Sequence, residues 1–185
     1  SLLPHFYDVS EGGVYLGGKN VAAYAPEELR EKIAVVPQKA VLFKGTVRSN
    51  LAWGDKEAAL SDDAAWAALK CAQADDVVKQ KGGLDAVVEQ GGGNLSGGQK
   101  QRLSVARALM KDADVLILDD SSSALDYATE RALSNAVRAR QKEKKQTVFI
   151  VSQRASSLIT ADKILVLDEG EIIGAGTHEE LLKSC

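Results

Sequence analysis

Ser96-Gly97-Gly98 stands directly before the helical apolar pattern of residues 99–110, so its backbone N–H groups are the free donors of a helix N-terminus. Donors of that kind bind anions. Glycine lets the backbone approach a phosphate oxygen closely, and a serine hydroxyl adds one more donor. The same residues also make an ordinary turn before a helix, and taken alone they leave both readings open. A second grouping follows the helix: Val115-Leu116-Ile117-Leu118-Asp119-Asp120, four apolar residues closed by two aspartates. Carboxylates at the carboxyl end of a parallel strand lie where open α/β sheets bind ligands; a buried strand with acidic turn residues is the plainer alternative. The phosphate-cradling loop G-x-x-x-x-G-K-[ST] occurs nowhere in the 185 residues. The chain thus has features for handling phosphate without the usual main grip on it.

The elements that must position these groups follow from the pattern. Residues 1–9 begin with apolar residues and no cap, like the end of a longer helix. Residues 11–18 read as turn, short strand and turn, a hairpin. Pro26-Glu27-Glu28 suits a helix start, and Ile33-Ala34-Val35-Val36 reads as a buried strand ended by Pro37, with Gln38 where it stops. From 45 to 109 the pattern is helical, with Ser61-Asp62-Asp63 as a cap for 64–74 and glycine breaks at Gly82-Gly83 and Gly91-Gly92-Gly93. Runs at 115–118, 147–151 and 164–167, separated by helix-like stretches such as 128–140, predict a parallel sheet covered on both faces. Residues 170–174 suggest a last hairpin edge. Thr177-His178-Glu179-Glu180 reads as a capping box opening a terminal helix.

Composition narrows the function. With 45% apolar and 26% charged residues the chain suits one globular domain with a substantial core, and a net charge of −3 argues against a nucleic-acid binder. Cys71 and Cys185 are far apart with no C-x-x-C, so neither a disulfide framework nor a zinc site is suggested, and a reducing compartment is expected. No apolar run reaches the roughly 20 residues that cross a bilayer, so any membrane link is expected from another segment or another chain. The basic run 138–145 reads as the solvated end of a helix, His5 and His178 as residues without partners, and Trp53 and Trp66 as packing residues.

Leu95-Ser96-Gly97-Gly98-Gln99 resembles the LSGGQ signature of the ABC (ATP-binding cassette) ATPases, whose two nucleotide-binding domains sandwich ATP between them. Residues 115–120 match the family's Walker B strand, Gln38 its Q-loop, and Ser123-Ala124-Leu125-Asp126 its D-loop at the dimer interface. The four motifs stand in the family's order. The stretch 42–51 resembles exporter-type domains in particular, and Phe6-Tyr7-Asp8 matches the segment just after their phosphate loop. The resemblance implies a P-loop NTPase-type, mostly parallel α/β sheet with helices on both faces, starting downstream of the phosphate loop and of the adenine-stacking aromatic. It implies one partial ABC ATPase domain, with 1–44 and 111–185 as ATPase core and 45–110 as the helical signature subdomain.

It also implies roles. Gln38 and Asp119 would serve Mg²⁺; Ser96, Gly97, Gly98, Gln99 and Asp126 would contact ATP; Asp120 and Gln153 would be the catalytic groups. Here the chain departs from the pattern. Competent members carry glutamate where Asp120 stands, and a carboxylate withdrawn by about 1 Å can cost on the order of 10²-fold. They carry histidine where Gln153 stands, and glutamine cannot bear its charge. Residues 86–92 also depart from the exporters' acidic stretch, keeping Glu89-Gln90. An intact signature beside two weakened positions resembles the degenerate half of a heterodimeric exporter. The implied partners are a second, non-identical nucleotide-binding domain and the coupling helices of a transmembrane domain at the cytoplasmic face of the membrane. The parent would export a small molecule, lipid or peptide, while these 185 residues alone are expected to be soluble and without ATP turnover. A soluble ABC ATPase of repair or translation and an inert dimerisation fragment are the alternatives.

Overall fold

The structure is a computed structural model and describes residues 2–184. The chain opens with turns and then a hairpin, β1 (Tyr15–Leu16) and β2 (Lys19–Asn20). Gly17 and Gly18 turn it with φ of +57° and +81°, the two left-handed positions that a tight hairpin turn requires. Helix α1 (Pro26–Lys32) starts on proline with two glutamates in its first turn and leads into β3 (Ile33–Val36). A helical region follows: β4 (Gly45–Thr46), α2 (Val47–Leu51), α3 (Asp62–Cys71), α4 (Asp75–Gln80), β5 (Val87–Val88) and α5 (Gly97–Met110). Then come β6 (Val115–Asp119), α6 (Tyr127–Lys144), β7 (Thr147–Val151), the hairpin β8 (Ile164–Asp168) and β9 (Glu171–Gly176), and α7 (His178–Ser184). The caps are those the sequence suggests: Ser61 accepts from Ala64 at the start of α3, and Thr177 and Glu180 cap α7 reciprocally.

Strands β3, β6 and β7 form a parallel sheet with β6 in the centre. Its register, Ile33 beside Val115 and Ala34 beside Leu116, sorts the side chains by the two-residue period of a strand. Ala34, Val36, Leu116 and Leu118 face one way, into the large core shared with Leu103 of α5 and Leu133 and Val137 of α6. Ile33 and Val115 face the other way, into a smaller core with Val21 and Leu29. Helices therefore cover β3 and β6 on both sides, whereas β7 is largely exposed, a departure from the covered sheet expected of this α/β class.

Three further details differ from the sequence reading. The run at 164–167 does not extend the parallel sheet; Glu169 and Gly170 turn the chain back at φ of +46° and +86°, so β8 pairs antiparallel with β9. Trp66 packs against the core, but Trp53 is 68% exposed and stands 4.8 Å, centroid to centroid, from Phe43. His5 is not partnerless: its Nε2 lies 2.9 Å from Asp8 Oδ1.

Leu116 is buried at the centre of the sheet, whereas Ile172 on β9 is exposed. Leu116→Ala is expected to cost about 2–5 kcal/mol, and Ile172→Ala below about 0.5 kcal/mol, in denaturant unfolding. Equal losses would contradict the assignment of the core.

Candidate functional site

In a parallel sheet every strand ends on the same edge, and here that edge gathers residues distant in sequence. Pro37 stops β3, Asp119 ends β6, and the chain leaves β7 through Ser152 and Gln153. Gln38 donates through Nε2 to Asp120 Oδ2 at 3.2 Å, so two of the predicted residues meet across neighbouring strands. Asp120 has a left-handed backbone, φ +43°, fixed by its N–H donating to Val151 O and by its carbonyl accepting from Ser123. That conformation turns the chain away from β6 into residues 121–126. Asp119 and Gln153 are exposed at the same edge.

The signature residues lie on a different wall. Ser96 Oγ accepts from Gln99 N while Gln99 Oε1 accepts from Ser96 N, a reciprocal cap that starts α5 at Gly97. The cap uses the third N–H of the helix. The N–H groups of Gly97 and Gly98 have no acceptor among the described residues. Packing is tight at Gly98: a Cβ there would lie 3.0 Å from Ala124 O, whereas at Gly97 it would only touch Ala124 Cβ at 3.7 Å. The close approach joins the signature to residues 123–126. Ser96, Gly97, Gly98, Arg102, Asp126 and Thr129 line the resulting cavity of about 390 Å³, together with Ala124 and Leu125.

The chemistry of this cavity suits a phosphate. It offers two unpaired amides, a serine hydroxyl and Arg102, which donates to Gln73 O at 2.6 Å while its Nε is buried without a protein acceptor. The Asp126 carboxylate is engaged locally, accepting from Thr129 N and Thr129 Oγ1 as the cap of α6. Those two bonds hold its carboxyl below the ordinary aspartate value. A cation has less support from the chain by itself. No cluster of three or more His, Cys, Asp or Glu able to hold a metal occurs among the described residues. Gln38, Asp119 and Asp120 provide oxygen donors alone, which suits Mg²⁺ shared with phosphate oxygens and water and not a closed protein cage.

Sequence reasoning missed Glu130 and Arg154, which join the loops of this edge. Glu130 is buried, and accepts from Ser122 Oγ at 2.9 Å, from Ser157 Oγ, and from Arg154 Nη1 at 2.7 Å. Burial alone would raise its carboxyl, but the donors Ser157, Arg154 and Ser122 together outweigh burial and hold it below the usual glutamate value. A faint signal existed: Glu130 falls one helical turn after the Asp126 cap, and Arg154 adjoins Gln153. Exposed apolar residues also follow β3 in the chain. Asn50, buried, donates to the carbonyls of Phe43 and Thr46 and accepts from Phe43 N, which holds Phe43 beside the exposed Trp53; Val41 is exposed as well.

The lowered Glu130 carboxyl stabilises the fold above its unfolded value, about 4.3, and that stabilisation is lost as pH falls through the lower folded value. The stability gap between wild type and Glu130→Gln, measured by denaturant midpoint, is therefore expected to be widest at neutral pH and to close on acidification. A gap independent of pH would contradict the assignment.

Comparison with known proteins bears on the same residues. The ABC transporter family pattern matches residues 1–123. The chain is 43% identical over 182 residues to an ATP-dependent lipid A-core flippase of Haemophilus ducreyi, covering 98% of this chain and 31% of the relative. It is equally similar, 43% over 182 residues, to an uncharacterized ABC transporter ATP-binding protein of Bacillus subtilis, again covering 98% of this chain and 31% of the relative. A solved bacterial Atm1-family ABC exporter with ATP bound superposes with a TM-score of 0.92 at 36% identity, over 99% of this chain and 32% of the exporter. The chain thus spans somewhat under a third of the length of these curated relatives.

Proposed function

The chain belongs to the ABC transporter family, and from that membership we propose that it is the ATP-handling portion of an exporter whose LSGGQ segment completes an ATP site held by a partner subunit. The observation that carries this reading is the cavity lined by Ser96, Gly97, Gly98 and Arg102 on one side and residues 124–126 on the other, with the amides of Gly97 and Gly98 free among the described residues. In this reading ATP supplies the phosphoryl group whose hydrolysis drives transport. Ser96, Gly97, Gly98 and Gln99 hold its terminal phosphate through N–H and O–H donors at a helix N-terminus, where negative charge is favoured. Asp126 fixes the first turn of α6 and so the shape of the opposite wall.

At this chain's own strand edge, Gln38 and Asp119 are the groups suited to Mg²⁺, with Asp120 and Gln153 in the positions that orient and polarise water. Asp120 is tied by Gln38 and has a short side chain, and Gln153 has no charge to offer. We read this half as the weaker one of an asymmetric pair, with 1–44 and 111–185 as ATPase core and 45–110 as signature subdomain. The exposed Val41, Phe43 and Trp53 suit docking of the transmembrane partner's helices, since a small apolar patch with aromatic anchors is how such contacts are built. No helix among the described residues is long and apolar enough to cross a membrane.

The test is steady-state ATP turnover by the full-length exporter assembled with its partner. Ser96→Arg in this chain fills the signature cavity and is expected to lower turnover on the order of 10²-fold. The matching change in the partner's signature is expected to lower it far less. Unchanged turnover with Ser96→Arg would refute the trans role, and equal effects from both subunits would refute the asymmetry.

A further inference from the structure

The strand edge contains an ion pair between the buried Glu130 and the exposed Arg154 that neither the signature nor the strand-end carboxylates call for. Arg154 comes directly after Gln153 in the chain, yet its guanidinium reaches back over the preceding loop. Nη2 donates to Ser123 O at 3.2 Å, and Nη1 donates to Leu125 O at 3.4 Å and to Glu130 Oε2 at 2.7 Å. Glu130, whose side chain is 7% exposed, in turn takes the hydroxyls of Ser122 and Ser157. The two accepting carbonyls flank Ala124, the residue whose own carbonyl closes on Gly98. A continuous series of contacts therefore runs from the signature glycine through Ala124 and the carbonyls of Ser123 and Leu125 to Arg154 and its neighbour Gln153.

We propose that Glu130 and Arg154 are positioning residues that fasten the wall of the signature cavity to the Gln153 loop, so that the trans-acting face and the end of this chain's own site move as one unit. The proposal rests on the trans role of the signature and adds how that face communicates with residue 153. Its physical content lies in the residue types. The guanidinium fork meets three acceptors at once, which the single ammonium of lysine cannot do. An ion pair with one exposed partner is in itself poor evidence for stabilisation, because water screens much of the attraction. The extra bonds to Ser123 and Leu125 add nothing that a simple ion pair needs; they fix the distance between two loops. The serine hydroxyls complete the carboxylate's acceptor sites, so Glu130 holds a single orientation while it orients Arg154.

The experiment compares wild type, Arg154→Lys and Glu130→Gln in the full-length exporter with its partner, reading kcat, KM for ATP and the thermal midpoint. Arg154→Lys keeps the charge pair and loses the carbonyl contacts. It is expected to leave KM within about twofold and to lower kcat about tenfold or more. The thermal midpoint is expected to move by no more than about 3 °C. Glu130→Gln, nearly equal in shape, is expected to lower kcat in the same way, and Gly98→Ala combined with Arg154→Lys is expected to be less than additive because both act on one path. An unchanged kcat in Arg154→Lys, or a loss that follows only the fraction of folded protein, overturns the proposal. If Ser96→Arg abolishes turnover while Arg154→Lys does not change it, the coupling fails and the trans role stands. If Ser96→Arg has no effect, the trans role itself has failed.

Discussion

The parallel pairing of β3, β6 and β7 is the constraint on which the rest depends. Parallel register brings the carboxyl ends of three strands to one edge, so Gln38, Asp119, Asp120 and Gln153 become neighbours despite more than a hundred residues of separation in the chain. The central strand does this because both of its faces are buried, Leu116 and Leu118 against α5 and α6, and Val115 against the smaller core. A shift of one residue would exchange these two sets and expose apolar side chains, so packing fixes the register and the register fixes the site. The left-handed turn at Asp120 follows from the same geometry: the chain must leave β6 sharply to place residues 123–126 against α5.

Much of this was legible in the sequence. The strands 33–36 and 147–151 stand where the apolar runs put them, because Val and Ile runs closed by proline or polar residues leave little choice. The helix at the signature begins two residues earlier than the apolar period suggests. Gly97 and Gly98 are poor helix formers, but the reciprocal Ser96–Gln99 cap overrides that propensity. The α7 cap was equally readable, since Thr177 and Glu180 are three residues apart. What was not legible is long-range or depends on exposure. Glu130 and Arg154 are twenty-four residues apart with no periodic relation, and their pairing exists only once α6 and the β7 exit loop are packed together. Trp53 read as a packing residue by type; it follows the end of α2 and stacks on Phe43 at the surface, not in the core. His5 and Asp8 meet because His5 itself adopts a left-handed turn, φ +53°, that composition does not announce.

The two functional walls are built by different means. The strand-edge carboxylates stand on a rigid sheet, whereas the signature cavity joins a helix cap to a loop. That second wall relies on one close approach, Gly98 against Ala124, and on the carboxylate–guanidinium contact behind it. Such a joint suits the proposed meeting with a ligand carried by another subunit, because it is firm within the chain and open outward. Strands β7, β8 and β9 also expose apolar side chains, among them Val151 at 55% and Leu167 at 66% exposure.

The central claim is that the signature of this chain acts on nucleotide held elsewhere, and proximity measures it most directly. With cysteine placed by Ser96→Cys and a second cysteine in the partner's phosphate loop, in a background lacking Cys71 and Cys185, disulfide formation in the full-length exporter reports whether the two segments meet. The account predicts a cross-link that forms readily with ATP bound and poorly without nucleotide. A cross-link that never forms, or one whose yield is the same with and without ATP, would contradict it.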